Sequence, residues 1–137
     1  MTPLNDSTLA ELVRCARAVA ARAYAPYSRF RVGAAVLTGD GTVFDGCNVE
    51  NASYGLTICA ERNALFQMVG SGRTDVAAVV IYTPTPEPTA PCGACRQVIN
   101  EFGPNALVVS VCDGPGVITR RLAELLPGAF GPENLGS

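Results

Sequence analysis

The chain has 137 residues, of which 48% are hydrophobic and 16% charged, and this is enough apolar material for one domain with one core. Its net charge of −2 arises from 12 acidic residues and ten arginines, with no lysine or histidine. This composition excludes a lysine Schiff base and a histidine-dependent triad, and it argues against a nucleic-acid polymer as partner. No apolar run reaches the roughly 18–20 residues that span a bilayer, and no signal pattern is visible, so we expect a cytoplasmic protein without membrane contact.

Hydrophobic periodicity predicts four helices and five strands. Apolar residues recur at helical spacing in some segments and form short, nearly continuous runs of strand type in others. In chain order the predicted elements are a helix over residues 8–24, strands over 31–37 and 42–47, a helix over 57–69, a strand over 76–82, a helix over 92–102, strands over 106–111 and 117–118, and a helix over 120–126.

Local signals support these boundaries. Thr8 and Glu11 match a capping box at the start of the first helix. The sequence Thr-Gly-Asp-Gly at residues 38–41 is a turn signal, so the flanking strands are predicted to form an antiparallel hairpin. Residues 48–51, which read Asn-Val-Glu-Asn, have the composition of a loop with Asx turns.

This element order predicts an α/β fold, namely a three-layer α/β/α sandwich with a mixed five-stranded sheet, in a single domain over residues 1–137. Right-handed crossovers would place the helices over residues 57–69 and 92–102 on the same face of the sheet. Their N-termini are then expected at one end of the sheet, where open α/β sheets bind ligands.

Three cysteines lie at the predicted starts of those two helices. Cys92 and Cys95 form a Cys-x-x-Cys pair, and Cys59 lies in the helix before it. Three thiolates suit zinc and leave a fourth position for water, while Glu61 is available to transfer protons in a chain without histidine. By itself the pair also fits redox chemistry, or a structural zinc with Cys47 as fourth ligand.

Three thiolates carry one negative charge more than zinc balances. Arg62 and Arg96 follow these cysteines closely in the sequence. We therefore predict that both guanidinium groups donate hydrogen bonds to the sulfur atoms.

Several motifs together resemble the small homotetrameric cytidine deaminases of pyrimidine salvage. They are residues 27–35 (YSRFRVGAA), 46–52 (GCNVENA), 59–62 (CAER), 91–97 (PCGACRQ), 125–127 (LLP) and 130–133 (FGPE). The resemblance implies the cytidine deaminase fold and one Zn²⁺ per subunit, bound by Cys59, Cys92 and Cys95. It also implies hydrolytic deamination of cytidine and 2′-deoxycytidine to uridine and 2′-deoxyuridine with release of ammonia, in which zinc-activated water attacks C4 and Glu61 is the proton shuttle.

The resemblance further implies substrate contacts and a shared site. Asn48 and Glu50 would hydrogen-bond the ribose 3′-hydroxyl, and Phe30 would flank the pyrimidine. Ala60 would also bind the substrate, and Arg62 and Gln97 would support the sulfurs. In a homotetramer, three further residues would reach the site of a neighbouring subunit, namely Ala52, Tyr54 and Phe130.

Two other readings stay open. The chain could deaminate another aminopyrimidine nucleoside such as blasticidin S, although the pair Asn48 and Glu50, with Phe130, favours cytidine. It could also be a structural zinc-binding protein, a reading that leaves Glu61 without a role.

Overall fold

Five strands form one mixed sheet in the computed structural model, which describes residues 4–136. The strand order across the sheet is β2-β1-β3-β4-β5, and every neighbouring pair is antiparallel except β3 and β4, which are parallel. The predicted mixed five-stranded α/β fold is confirmed. In chain order the elements are α1 (Asp6–Ala20), β1 (Gly33–Thr38), β2 (Val43–Cys47), a 3-10 turn (Tyr54–Leu56), α2 (Ala60–Gly70), β3 (Val76–Tyr82), α3 (Gly93–Phe102), β4 (Leu107–Val111), β5 (Ile118–Arg121), α4 (Leu122–Leu125) and a second 3-10 turn (Pro132–Leu135).

Helices cover both faces of the sheet because alternate residues of each strand point to opposite sides. On one face, Ala35 and Leu37 of β1 pack with Leu12 and Ala16 of α1. On the other face, α2, α3 and α4 share one core with the alternate strand positions. Its largest fully buried side chains include Leu65, Met68, Ile99 and Leu122. The two cysteine-bearing helices therefore lie on the same face, as predicted.

Two glycines allow the helices to lie very close to the sheet. A Cβ at Gly33 would lie 1.9 Å from the carbonyl oxygen of Ala16 in α1. A Cβ at Gly46 would lie 2.4 Å from the backbone nitrogen of Ala64 and 2.7 Å from the carbonyl oxygen of Ala60 in α2. The start of α2 is thus held directly against the end of β2.

Helix boundaries differ from the prediction at several ends: α1 ends at Ala20 rather than at residue 24, and α2 begins at Ala60 rather than at residue 57. The N-cap of α1 is Asn5, whose Oδ1 accepts a hydrogen bond from the Thr8 nitrogen at 2.8 Å, so Thr8 lies inside the helix. Cys59 and Cys92 are the N-caps of α2 and α3, one position before each helix. No helix within residues 4–136 is long and apolar enough to cross a membrane.

Candidate metal centre

Three cysteine sulfurs meet where α2 and α3 begin. Cys59 and Cys92 are the two N-caps, and Cys95 lies in the first turn of α3, where its backbone nitrogen donates to Cys92 Sγ at 3.5 Å. The three sulfur atoms lie within 4.8 Å of one another, and Cys59 Sγ and Cys92 Sγ are 3.8 Å apart. A tetrahedral zinc with bonds of about 2.3 Å holds its sulfur ligands about 3.8 Å apart. The cluster therefore fits zinc in both spacing and donor type.

The surroundings of Cys59 favour its thiolate. Arg62, in the first turn of α2, donates from Nη2 to Cys59 Sγ at 3.3 Å. The pKa of Cys59 falls to about 5, first because Cys95 hydrogen-bonds to its sulfur and also because the Arg62 guanidinium stabilises the charge. The same hydrogen bond raises the pKa of its donor, Cys95. In the metal-free cluster the thiolate is therefore favoured at Cys59, whereas zinc has to displace the proton of Cys95.

Glu61 is the buried acid of the site. Its side chain lies in the first turn of α2 and only 5% of the residue is exposed. Burial raises the pKa of Glu61 to about 7. A carboxyl group with such a pKa both accepts and donates a proton near neutral pH, which is what a proton shuttle requires.

A cavity of about 190 Å³ opens beside the cluster. Cys59, Cys92 and Glu61 line it, together with Phe30 and Asn48. A second, more open cleft is lined by a neighbouring set of side chains, namely Tyr27, Ser28, Glu50, Tyr54 and Thr57, and Thr57 also lines the first cavity. The structure thus places two of the three metal ligands and the acid in the same cavity as Phe30, Asn48 and Ala60 of the predicted substrate set.

The polar residues that follow β2 make hydrogen bonds to the backbone around Phe30. Asn48 Nδ2 donates to the Phe30 carbonyl at 2.7 Å, and its Oδ1 accepts from the Val32 nitrogen at 2.9 Å. Glu50 Oε1 accepts from the backbone nitrogens of Tyr27 and Ser28. Composition alone indicated local Asx turns, and Asn51 makes one, because its Oδ1 accepts from the Ser53 nitrogen at 2.9 Å. The side chains of Asn48 and Glu50 instead make hydrogen bonds to residues about twenty positions away in sequence.

Four predicted substrate residues lie outside the cavity beside the cluster, and one of them, Glu50, lines the second cleft. Ala52 is exposed, and Tyr54 and Phe130 are exposed to 74% and 59%. Tyr54 lines the second cleft, with its ring centroid 6.0 Å from that of Tyr27.

Two side chains that were predicted to interact with the cysteine sulfurs have other hydrogen-bond partners. Gln97 Nε2 donates to the Phe130 carbonyl at 2.9 Å. The prediction for Arg96 is wrong, because its Nε donates to the Pro91 carbonyl at 2.8 Å and its Nη1 to the Leu125 carbonyl at 3.0 Å. Both side chains lie on α3, and these hydrogen bonds go to backbone carbonyls rather than to sulfur atoms.

Sequence reasoning missed several polar residues of the site. Thr57, Thr83 and Thr89 line the cavity, and Ser28 donates to Glu50 Oε2. The threonines had no motif to identify them. A signal existed for Ser28, because it precedes Phe30 by two residues within a motif that carries the resemblance.

Cys47 does not belong to the cluster. Within residues 4–136, one group of metal-binding side chains was found, and it contains Cys59, Cys92 and Cys95 alone. The pKa of the Cys47 thiol is raised, first by burial and then by Asp45. Among the described residues, Cys47 is therefore not placed as a fourth ligand of the cluster.

Comparison with protein families identifies the chain. The model of the cytidine and deoxycytidylate deaminase zinc-binding region matches residues 6–111, which include all three cysteines of the cluster. The chain belongs to this deaminase family. A cytidine deaminase of Halalkalibacterium halodurans is 53% identical over 114 residues, which cover 82% of this chain and 86% of the relative. One from Mycobacterium tuberculosis H37Rv is 48% identical over 116 residues, 85% of this chain and 84% of that one.

Solved structures support the same family. The crystal structure of a cytidine deaminase from Burkholderia pseudomallei has a TM-score of 0.84 and 50% sequence identity, covering 88% of this chain and 98% of that chain. The Mycobacterium tuberculosis enzyme has a TM-score of 0.76 and 43% identity, covering 90% of this chain and 97% of that chain. The cofactor of this deaminase family member is zinc, in agreement with the three-sulfur cluster.

Proposed function

We propose that the protein removes the 4-amino group of cytidine and 2′-deoxycytidine by hydrolysis. The products are uridine and 2′-deoxyuridine, respectively, and ammonia. The observation that carries the proposal is the buried Glu61 carboxyl in one cavity with Cys59 and Cys92, whose sulfurs cluster with that of Cys95. Membership of the deaminase family, with relatives that are named cytidine deaminases, supports it.

Each group at the helix N-termini has a defined task in this reaction. Cys59, Cys92 and Cys95 hold zinc, which when bound supplies an activated water at neutral pH. Glu61 accepts the two protons of the attacking water in turn, the first as the oxygen adds to C4 and the second as the C4 hydroxyl becomes the carbonyl of uridine. It delivers the first to the cytosine ring nitrogen and the second to the departing amino group. Its pKa of about 7 suits both transfers. Arg62 offsets the negative charge of the thiolates through its hydrogen bond to Cys59.

The charges around the two cavities favour a nucleoside over a nucleotide. The matched family includes both cytidine and deoxycytidylate deaminases. Within the described chain, no arginine lines either cavity, whereas the carboxyl groups of Glu61 and Glu50 do. Within one subunit, a 5′-phosphate would find no cation among the described side chains that line either cavity. We assign the ribose 3′-hydroxyl to Asn48 and Glu50, and the pyrimidine to Phe30 and Ala60.

The assembly and place of action are part of the proposal. We propose a single-domain subunit, a homotetramer, and a cytoplasmic role in pyrimidine salvage. Tyr54 and Phe130 have large exposed aromatic rings, and Leu56, Phe66 and Leu135 are also exposed. Such a set of apolar side chains is typical of a surface that other subunits cover. In the homotetramer, Ala52, Tyr54 and Phe130 would complete the site of a neighbouring subunit.

The decisive experiment compares Glu61→Gln with the wild type. Loss of cytidine is followed by ultraviolet absorbance with and without a chelator, and zinc is measured per subunit. We expect Glu61→Gln to keep its zinc but to lose at least about 10³-fold in kcat, because the proton has no acceptor. Glu101→Gln, at an exposed position of α3, is the matched control and should behave like the wild type.

Near-normal turnover in Glu61→Gln would overturn the mechanism. Wild-type rates on blasticidin S that exceed those on cytidine would overturn the substrate. A chelator without effect on turnover would overturn the role of zinc.

A further inference from the structure

The Ser28 hydroxyl connects two of the residues assigned to the substrate. Ser28 lies between α1 and β1, and its Oγ donates a hydrogen bond to Glu50 Oε2. The same Oγ accepts a hydrogen bond from the Phe30 nitrogen at 3.0 Å. Phe30 lines the cavity of the metal cluster, whereas Ser28 and Glu50 line the adjoining cleft. One hydroxyl group therefore links the carboxylate of one cavity to the aromatic wall of the other.

The Glu50 carboxylate is almost fully occupied by this segment. Its Oε1 accepts from the Tyr27 nitrogen at 3.0 Å and from the Ser28 nitrogen at 3.1 Å, and its Oε2 accepts from Ser28 Oγ. A carboxylate offers about four acceptor positions, so about one remains, on Oε2. A single substrate hydroxyl can bind there without displacing a hydrogen bond of the segment.

The backbone between Ser28 and Phe30 requires this support. Arg29 has φ 60°, a left-handed conformation that is unfavourable for any residue with a side chain. The Arg29 nitrogen donates to the Ala25 carbonyl on one side, and Asn48 holds the Phe30 carbonyl on the other. Ser28 Oγ adds a side-chain hydrogen bond to those that the Tyr27 and Ser28 nitrogens make to Glu50, and it also accepts from the Phe30 nitrogen.

We propose that Ser28 is a positioning residue for the deamination reaction, whose hydroxyl makes the Glu50 carboxylate and the Phe30 ring one preorganised unit. The inference rests on the proposed function, because it concerns the site assigned to the nucleoside. Because Glu50 and Phe30 belong to one unit, binding of the ribose hydroxyl at Glu50 favours binding of the base beside Phe30, and the reverse also holds. We expect the backbone hydrogen bonds to Glu50, Asn48 and Ala25 to remain when the hydroxyl is removed, so the effect should be on binding geometry rather than on the proton transfer by Glu61.

The test compares three serine variants in the full-length zinc enzyme. Ser28→Ala should raise KM for cytidine about tenfold with kcat within about twofold of wild type, since a hydrogen bond to a charged group is lost. Ser28→Thr keeps a hydroxyl and should restore KM to within about twofold. Ser7→Ala removes an exposed serine of α1 and is the matched control. Zinc per subunit should be equal in all of them.

A double-mutant cycle tests whether Ser28 acts through Glu50. Glu50→Gln alone should raise KM more than Ser28→Ala, and the double variant should be no worse than Glu50→Gln. A further tenfold rise of KM in the double variant would show an independent effect of Ser28 and would overturn the proposal. A Ser28→Thr variant as impaired as Ser28→Ala would overturn it as well.

Amide hydrogen exchange separates this inference from the proposed function. The Phe30 amide should exchange faster in Ser28→Ala than in the wild type or in Ser28→Thr, whether or not cytidine is the substrate. Unchanged exchange at Phe30, or an unchanged KM, would overturn the positioning role. If Ser28→Ala does not fold, Glu50→Gln probes the same link from the carboxylate side, and there too the Phe30 amide must exchange faster.

Discussion

The candidate site spans the cavity and the adjoining cleft, and its two walls are built in different ways. The metal wall consists of side chains at the N-termini of α2 and α3, and both helices are anchored in one buried core. The substrate wall consists of Phe30, Asn48 and Glu50, which lie outside regular elements and are held by side-chain hydrogen bonds. The reacting groups therefore depend on packing, whereas recognition depends on a polar network. Defects in packing should reduce zinc binding and stability, and defects in the network should raise KM.

The largest effect should come from the packing that supports the metal wall. In Gly46→Ala, the added Cβ would lie 2.4 Å from the Ala64 nitrogen, so α2 must move away from β2 and take Cys59 with it. We expect a loss of about 2–3 kcal/mol in the free energy of unfolding. Urea denaturation and zinc analysis measure the two effects.

Gly70→Ala is the control for that variant. Gly70 ends α2, and a Cβ there would meet no atom within 4 Å. This variant should keep its zinc and its stability to within about 0.5 kcal/mol. Equal behaviour of the two glycine variants would contradict the assignment of α2 to the packing-dependent wall.

A smaller effect should appear in the pH dependence of the substrate wall. The pKa of Glu50 is lowered, first because the Ser28 hydroxyl donates to it and then because the backbone nitrogens of Ser28 and Tyr27 do. A lowered pKa means that this carboxylate stabilises the fold above the unfolded pKa of 4.5, and that the contribution is lost as the pH falls through the folded value.

Thermal unfolding of the wild type and of Glu50→Gln from pH 7 to pH 3 measures this contribution. The difference in Tm should be constant above about pH 5 and should shrink at lower pH. A difference that grows on acidification would contradict the hydrogen-bond network around Glu50.

The smallest effect should come from the backbone of the same wall. Arg29→Gly removes the cost of φ 60° but adds freedom to the unfolded chain. The net expectation is a gain in stability of about 0.5 kcal/mol, measured by urea denaturation. Arg29→Val should instead be destabilised, because a β-branched residue is strongly disfavoured at this conformation. Equal stability of both variants would contradict the left-handed conformation.

The metal wall was predictable from sequence because most of its residues lie close together in the chain. Cys92 and Cys95 are three residues apart, so one helical turn brings their sulfurs together, and Glu61 follows Cys59 by two residues. The strand over residues 76–82 was also predicted with its observed bounds, since a continuous apolar run ends there at both sides.

The polar wall was less predictable because its partners are distant in sequence. Glu50 contacts backbone groups more than twenty residues earlier, and no periodicity encodes that pairing. The misplaced donor Arg96 has a related cause. Its position next to Cys95 suggested a sulfur contact, but successive helical residues point in different directions, and its guanidinium extends to Pro91 and Leu125 instead.

The two hydrogen bonds of Arg96 have a practical consequence for engineering of the protein. They join the residue before Cys92 to the end of α4, and Gln97 holds the carbonyl of Phe130 a few residues further on. Affinity tags, fluorescent fusions or surface attachments placed at the C-terminal end would therefore pull on the helix that carries two metal ligands. The opposite end of the chain leads into α1, which packs on the other face of the sheet. Biosensors and immobilised catalysts made from this protein should be attached there.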